Sequence, residues 1–154
     1  MHRMIFVNLP VSDVEASRRF YTGLGFAVNE EFSDDAVACI VISDQIFVML
    51  LAHHRFAEFI TNDIADAHAT TQVLNALSAE TREEVDALIA RAVAHGGVAR
   101  RPITEGGMYG HSFADPDGHV WEVFHMDLPD AAGAAGTDSG TAGTDPADAP
   151  AALI

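Results

Sequence analysis

The apolar and polar positions of the first fifty residues predict a strand, a helix and three further strands. A short apolar strand covers residues 4–11. The helix after it carries Val14, Tyr21 and Leu24 on one stripe, with Phe20 beside them. Ser12 to Glu15 has the S-x-x-E form of a capping box, and Gly25 suits the helix C-terminus. The remaining strands are predicted at residues 26–32, 37–42 and 46–51.

The second half of the chain repeats this order of elements. A strand at residues 72–78 precedes a second capping box, Thr81 to Glu84, and Gly96 with Gly97 ends the helix. Three strands follow at residues 98–101, 109–114 and 119–125. A repeated βαβββ unit predicts an α+β fold made of module one (3–51), a linker (52–71) that includes a short helix near 53–59, and module two (72–127).

The last two strands predict a hairpin around Asp115-Pro116-Asp117-Gly118. Proline and glycine at these positions suit a three-residue loop closed by a glycine bulge. Alternation then places Glu122 between Val120 and Phe124 on one face of the returning strand. With the bulge, Ser112 faces Glu122; without it, His111 would face Glu122 and could pair with it. We expect the bulge.

Composition narrows the function classes. The chain has 154 residues, 49% of them apolar, and a formal net charge of −15, which argues against partners with phosphate backbones and against anionic membranes. No apolar run approaches the ~20 residues that span a bilayer, and the N-terminus lacks a signal-peptide pattern. The single cysteine, Cys39, is expected to be a small buried residue, and the compartment is expected to be the cytoplasm. Residues 128–154 are rich in Ala, Gly and Asp and predict a disordered acidic tail.

Two segments give the chain a family resemblance. FYTGLGF at residues 20–26 and DPDGHVWEVF at residues 115–124, on two βαβββ modules, resemble the vicinal oxygen chelate superfamily. That superfamily includes glyoxalase I, extradiol dioxygenases and bleomycin-resistance proteins. The resemblance covers residues 3–127 and implies curved mixed sheets that form a cup for a small molecule. In the metal-dependent members, a divalent metal is held there by residues from the first and last strand of each module.

The four metal-ligand positions implied by the resemblance fall on Phe6, Met49, Leu74 and Glu122. Only Glu122 is a competent ligand, because phenylalanine and leucine offer no lone pair and a thioether suits soft ions. A single carboxylate does not hold zinc, nickel, manganese or iron tightly. We therefore expect no resident metal cofactor, and we expect the eight histidines to occupy exposed or edge positions.

The implied cup would be mostly apolar with a few polar groups, as is usual for a small-molecule site. The alternative is that the same side chains simply fill a core. A buried Glu122 could act as a general acid or base, unless Arg3, Arg100 or Arg101 neutralises it. The expected substrate-binding residues are Phe6, Asn8, Phe47, Met49, Leu74, Met108, Ser112, Glu122 and Phe124, with Leu51, Ala76 and Val120 beside them.

Two functions fit these residues. The first is a binding protein of the bleomycin-resistance kind, which the missing ligands favour. The second is a lyase or isomerase of the lactoylglutathione lyase kind, with Glu122 as the catalytic base and Asn8 or Ser112 as an oxyanion partner. A regulatory role for the tail is a third, weaker reading. The resemblance also implies a homodimer, with modules paired either within one chain or between two.

Overall fold

A computed structural model describes residues 3–126 and contains eight strands and three helices in that range. The predicted tail, residues 128–154, lies outside the described residues, as does the last residue of the predicted module two. The elements fall into two units of the same topology, which confirms the predicted α+β fold of two βαβββ modules.

Module one forms a four-stranded mixed sheet with one covering helix. The module consists of β1 (Ile5–Val11), α1 (Val14–Gly23), β2 (Ala27–Asp34), β3 (Val37–Val41) and β4 (Ile46–Ala52). Its sheet order is β1-β4-β3-β2, in which β1 runs parallel to β4 and the other neighbours are antiparallel. A short helix, α2 (His53–Ala57), starts the linker directly after this module.

Module two repeats this arrangement. It consists of β5 (Leu74–Ser78), α3 (Arg82–Ala94), β6 (Val98–Ile103), β7 (Met108–Ala114) and β8 (Val120–Met126). Its sheet order is β5-β8-β7-β6. Strand β6 is longer than the sequence pattern suggested, since it resumes pairing with β7 at Pro102 and Ile103 after a bulge. Within residues 3–126, no strand of one sheet pairs with a strand of the other.

The two main helices begin with different caps. Thr81 caps α3 as predicted, accepting a hydrogen bond from the Glu84 backbone N–H at 3.1 Å. The predicted cap at Ser12 is wrong, because the extended Asp13 caps α1 by accepting from the Ala16 N–H at 2.9 Å. The Ser12 N–H instead donates to the carboxylate of Asp117 in module two at 2.8 Å. A tertiary contact therefore moves the start of the helix by one residue.

One hydrophobic core joins the modules. Its residues come from the helix-covered sides of both sheets and from both helices. Phe20 of α1 lies against Phe113 of β7, and Tyr21 contacts Trp121 of β8, with ring centroids 6.1 and 6.0 Å apart. Each such aromatic side chain contributes roughly 1.5–3 kcal/mol when fully buried. Because the core uses the helix-covered side, the other side of each sheet, here called the open face, remains available for a ligand or partner.

The described helices are too short and too polar to cross a membrane; the longest, α3, has 13 residues.

Candidate functional site

Glu122 lies at the centre of the open face of module two. It pairs in register with Ser112 on β7 and with Ala76 on β5. The register opposite Ser112 confirms the predicted bulge, since Gly118 has a φ of +93° and its N–H donates to the Asp115 carbonyl at 3.0 Å. Glu122 is half-buried, which is less burial than the sequence analysis considered for it. It forms no ion pair with Arg3, Arg100 or Arg101.

The three histidines nearest Glu122 in sequence serve other contacts. His111 pairs in register with Val123 and therefore points to the opposite face from Glu122. Its Nδ1 lies 3.0 Å from the Ser112 carbonyl oxygen. His119 and His125 contact the carbonyl oxygens of Pro10 and Ala79 through Nε2 and Nδ1, at 2.7 and 3.1 Å. These rings therefore make backbone contacts.

The open face of module one carries the counterpart positions. Asn8 pairs with Met49 as Ala76 pairs with Glu122, and Phe6 pairs with Phe47. The rings of Phe6 and Phe47 stack with centroids 4.9 Å apart. Met49 therefore occupies the position in module one that Glu122 occupies in module two, in agreement with the duplication predicted from the sequence.

The nine predicted substrate-binding residues fall on two separate sheets. Phe6, Asn8, Phe47 and Met49 lie in module one, whereas the other five lie in module two. Phe6 and Leu74 are 49% and 54% exposed, and the side chains of Met108 and Phe124 are half-buried. The described chain therefore presents two open half-sites, each with an exposed apolar residue on its first strand.

The two candidate oxyanion partners already make hydrogen bonds. The buried Ser112 hydroxyl donates to the Arg101 carbonyl at 3.0 Å and accepts from the Arg101 N–H at 2.9 Å. These bonds satisfy the backbone where β6 bulges away from β7. The Asn8 side-chain amide donates to the carbonyl oxygen of Phe6 at 3.2 Å. The Ser112 hydroxyl is therefore occupied by the backbone of β6. The Asn8 side chain uses only its amide nitrogen, so its amide oxygen is available as an acceptor.

The chemistry of the donor set does not fit a divalent metal. At the four positions where the resemblance implies ligands stand phenylalanine, methionine, leucine and one glutamate. Within residues 3–126, no group of three or more His, Cys, Asp or Glu side chains is arranged to hold a metal ion. Zinc sites in proteins supply three or four such ligands. The four positions therefore lack the donor atoms that a resident divalent metal needs.

A cavity of about 650 Å³ lies on the open face of module one, between the sheet and the linker. Asn8, Met49 and Leu51, three of the residues that the sequence analysis placed around the cup, line its floor, and Glu31 and Asp34 of β2 supply acidic groups. The linker side chains Phe56, Phe59 and Ile60 form the facing wall. Sequence reasoning missed these linker residues, although the three-residue spacing of Phe56 and Phe59 within the predicted short helix was a usable signal.

A buried carboxylate, that of Asp115, lies at the contact between the modules and not on either open face. The Asp115 carboxylate accepts hydrogen bonds from the Tyr21 hydroxyl and from the backbone N–H groups of Asp117 and His119. Burial raises the pKa of Asp115, although His119 and the hydrogen bond from Tyr21 oppose the rise. Burial, and then the neighbouring Asp115 charge, raises the pKa of Tyr21 well above its ordinary value. Because neither group borders the module-one cavity, and both are occupied by hydrogen bonds between the modules, we assign a structural role to each.

Cys39 is buried on β3, as predicted, and burial raises the pKa of its thiol. A buried thiol of raised pKa is a poor nucleophile, because the thiolate is the reactive form. The residue therefore acts as a small apolar side chain in the sheet.

Comparison with known proteins places this geometry in a family. The family described as the Glyoxalase/Bleomycin resistance protein/Dioxygenase superfamily matches residues 3–123. A hypothetical protein from S. aureus, SA1046, is similar at 30% identity over 81% of this chain and 94% of its own, with a TM-score of 0.69. A glyoxalase-related enzyme from Fulvimarina pelagi is similar at 26% identity over 81% and 88%, with a TM-score of 0.68.

More distant structures share the fold alone. A bleomycin resistance determinant encoded on the transposon Tn5 aligns at 18% identity over 81% of this chain and 98% of its own, with a TM-score of 0.58. No relative was found among curated proteins. Two βαβββ modules, the DPDG turn and the family match over residues 3–123 together show that the chain belongs to the Glyoxalase/Bleomycin resistance protein/Dioxygenase superfamily.

Proposed function

We propose that this protein binds a small organic molecule on the open faces of its modules and uses no resident divalent metal there. The observation that carries the proposal is the chemistry of Phe6, Met49 and Leu74, which stand where metal ligands would be needed. These residues leave Glu122 as a single carboxylate among apolar neighbours. Such a surface can bind an apolar molecule, but it cannot hold a zinc-like ion with three ligands.

The cavity on module one supports binding of this kind. Its apolar lining includes Met49, Leu51 and Phe56, and its polar groups are the Asn8 amide and the Glu31 and Asp34 carboxylates. Arg55 also lines it, but the adjacent Glu58 pairs with that guanidinium. The cavity volume of about 650 Å³ lies within the range of roughly 300–1,000 Å³ that is usual for pockets that bind drug-sized molecules. We infer that aromatic and aliphatic contacts supply most of the affinity, while Asn8 orients the ligand.

We further propose that the protein works as a homodimer in which open faces of two copies meet. The exposed side chains of Phe6 and Leu74 support this, because they would place apolar area in water on an isolated chain. A second copy that covers them would also close the two half-sites. Sedimentation of the full chain tests this: a dimer that dissociates on Leu74→Glu, but not on Val98→Glu at the outer edge, supports it.

A second candidate function is a proton-transfer lyase or isomerase with Glu122 as the catalytic base. The half-buried carboxylate beside Val120 and Phe124 favours this candidate, because a base in a partly apolar site can remove a proton next to a carbonyl. The developing enolate oxygen would need a donor. Ser112 uses its hydroxyl on Arg101, so Asn8 or a group from a second copy would have to supply that donor.

The deciding experiment combines metal analysis of the purified full chain with an isomerase assay on methylglyoxal and glutathione. Our proposal predicts less than stoichiometric zinc, nickel, manganese and iron, and no turnover above the uncatalysed rate. Stoichiometric metal would contradict the metal-free proposal. Turnover abolished by Glu122→Gln but retained by Glu105→Gln, an exposed loop control, would establish the second candidate instead.

A further inference from the structure

A second cavity lies where the linker crosses the contact between the two modules. Its volume is about 570 Å³, and it is bounded by the end of β1, by linker residues from Phe56 onward, by β5 with the residues just before it, and by the start of β8 with the turn before it. Phe6, Met49, Leu74 and Glu122 do not line it. It is thus distinct from the positions to which the family resemblance assigns ligand chemistry.

Three contacts hold the walls of this cavity in place. A Cβ at Gly118 would lie 2.8 Å from the backbone of Ala67 and His68, so the linker backbone packs directly on the β7–β8 turn. Asp66 closes a turn in the linker by accepting from the His68 N–H at 2.9 Å. His119 Nε2 lies 2.7 Å from the Pro10 carbonyl, and because a carbonyl only accepts, this nitrogen carries the proton. The cavity is therefore preformed.

Asn75 is the residue that gives this cavity its chemistry. By register it corresponds to Val7 of module one, since Val7 precedes Asn8 and Asn75 precedes Ala76. Val7 packs against the hydrophobic core, whereas Asn75 is half-buried and lines the cavity. Its side-chain amide makes no hydrogen bond to other residues in the range 3–126. Because no other residue in the described range uses this amide, and because the corresponding position in the sister module is apolar, its donor and acceptor groups are available to a ligand in the cavity.

The rest of the lining defines the ligand class. Phe56, Phe59 and Val120 supply flat or aliphatic walls, and Asn62 and Gln72 add two further amides. Asp63 is the one carboxylate of the lining, and the His119 Nε2–H is committed to Pro10. We propose that this cavity binds a small uncharged molecule with a flat apolar body and an amide-like head. Such a head can donate to and accept from Asn75 at the same time.

A matched pair of probes and a matched pair of variants test this proposal on the full chain. Benzamide and benzoate share a ring, but only benzamide can both donate and accept, and Asp63 repels benzoate. We expect amide NMR shifts at Asn75, Val120 and the adjoining linker on titration with benzamide, and weaker binding of benzoate. Asn75→Val should weaken benzamide binding by about fivefold to tenfold, which corresponds to one or two lost hydrogen bonds. Asn8→Val reports on the module-one cavity, and Gln45→Val, an exposed change outside both cavities, should leave benzamide binding unchanged.

Each possible result of the benzamide experiment either supports or overturns the proposed binding at Asn75. Equal benzamide affinity in Asn75→Val and in the unchanged protein overturns the proposal, as does a set of shifts confined to Asn8 and Met49. Absence of any shift at Asn75 up to the solubility limit of benzamide also overturns it. If Asn75→Val disturbs the fold, Ile64→Trp, which fills the cavity from the linker wall, must abolish benzamide binding. Loss of binding only in Asn8→Val would locate the ligand in the module-one cavity and leave the metal-free proposal standing.

Discussion

The hydroxyl of Tyr21 in module one donates a hydrogen bond to the carboxylate of Asp115 in module two across 2.7 Å. The same hydroxyl accepts from the indole Nε1–H of Trp121 at 2.9 Å. Nearby, Asp117 accepts from the Ser12 N–H and from the Ser17 hydroxyl at 2.8 and 3.0 Å. The DPDG turn thus holds helix α1 onto module two. Two motifs that carry the family resemblance contact each other, and their role in this contact is structural.

Tyr21→Phe should destabilise the protein by about 1–3 kcal/mol, because it leaves the buried Asp115 oxygen and the Trp121 N–H without this partner. The measurement is the free energy of unfolding from urea denaturation. Tyr109→Phe is the matched control, since that hydroxyl bonds to Asp86 at the surface. Equal losses in the two variants would contradict a special role for the Tyr21 contact.

Stability should fall as the pH rises through the titration of Asp115. Its folded pKa is raised, chiefly by burial, so the folded state holds this proton more tightly than the unfolded state does. The contribution is therefore fully present below the unfolded pKa, roughly 3.9, and is lost as the pH rises through the folded pKa. Urea denaturation at several pH values tests this, with Asp115→Asn as the comparison. A pH dependence of stability that is identical in Asp115→Asn would show that Asp115 is not its source.

Gly118→Ala should destabilise the protein more than Gly106→Ala. Both glycines have positive φ, +93° and +64°, which costs an alanine roughly 1 kcal/mol. Only at Gly118 would the new Cβ also meet linker backbone, at 2.8 Å, whereas nothing lies within 4 Å at Gly106. Thermal unfolding of the two variants measures the difference. Equal midpoints would mean that the linker does not pack on the turn as described.

Added nickel or zinc should leave the unfolding temperature of the protein unchanged. A metal present at 1,000 times its Kd would stabilise the folded state by about 4.1 kcal/mol, which a thermal scan detects readily. Phe6, Met49 and Leu74 offer no ligands for such binding. A concentration-dependent rise that EDTA reverses and Glu122→Gln removes would contradict the metal-free proposal.

The sequence alone determined the two-module fold, because each module carries its own local signals. Apolar periodicity located the helices, Gly25 and Gly96 marked their ends, and the DPDG turn set the register that places Ser112 opposite Glu122. The two-residue alternation of the strands assigned Asn8 and Met49 to one face of module one. These features depend on neighbours within a few residues or on one hairpin, so a linear pattern is sufficient.

Only the tertiary structure decided what the long-range contacts do. The Asp117 carboxylate accepts a hydrogen bond from the Ser12 N–H, and Asp13 caps α1 in place of Ser12. A local sequence pattern cannot show this, because the partner lies 105 residues away. The commitment of the Ser112 hydroxyl to Arg101 depends on a bulge in a neighbouring strand. The cavity beside Asn75 exists because the linker packs on Gly118. Each of these depends on how separate elements meet, and the free energy of those contacts is not encoded in any short stretch of sequence.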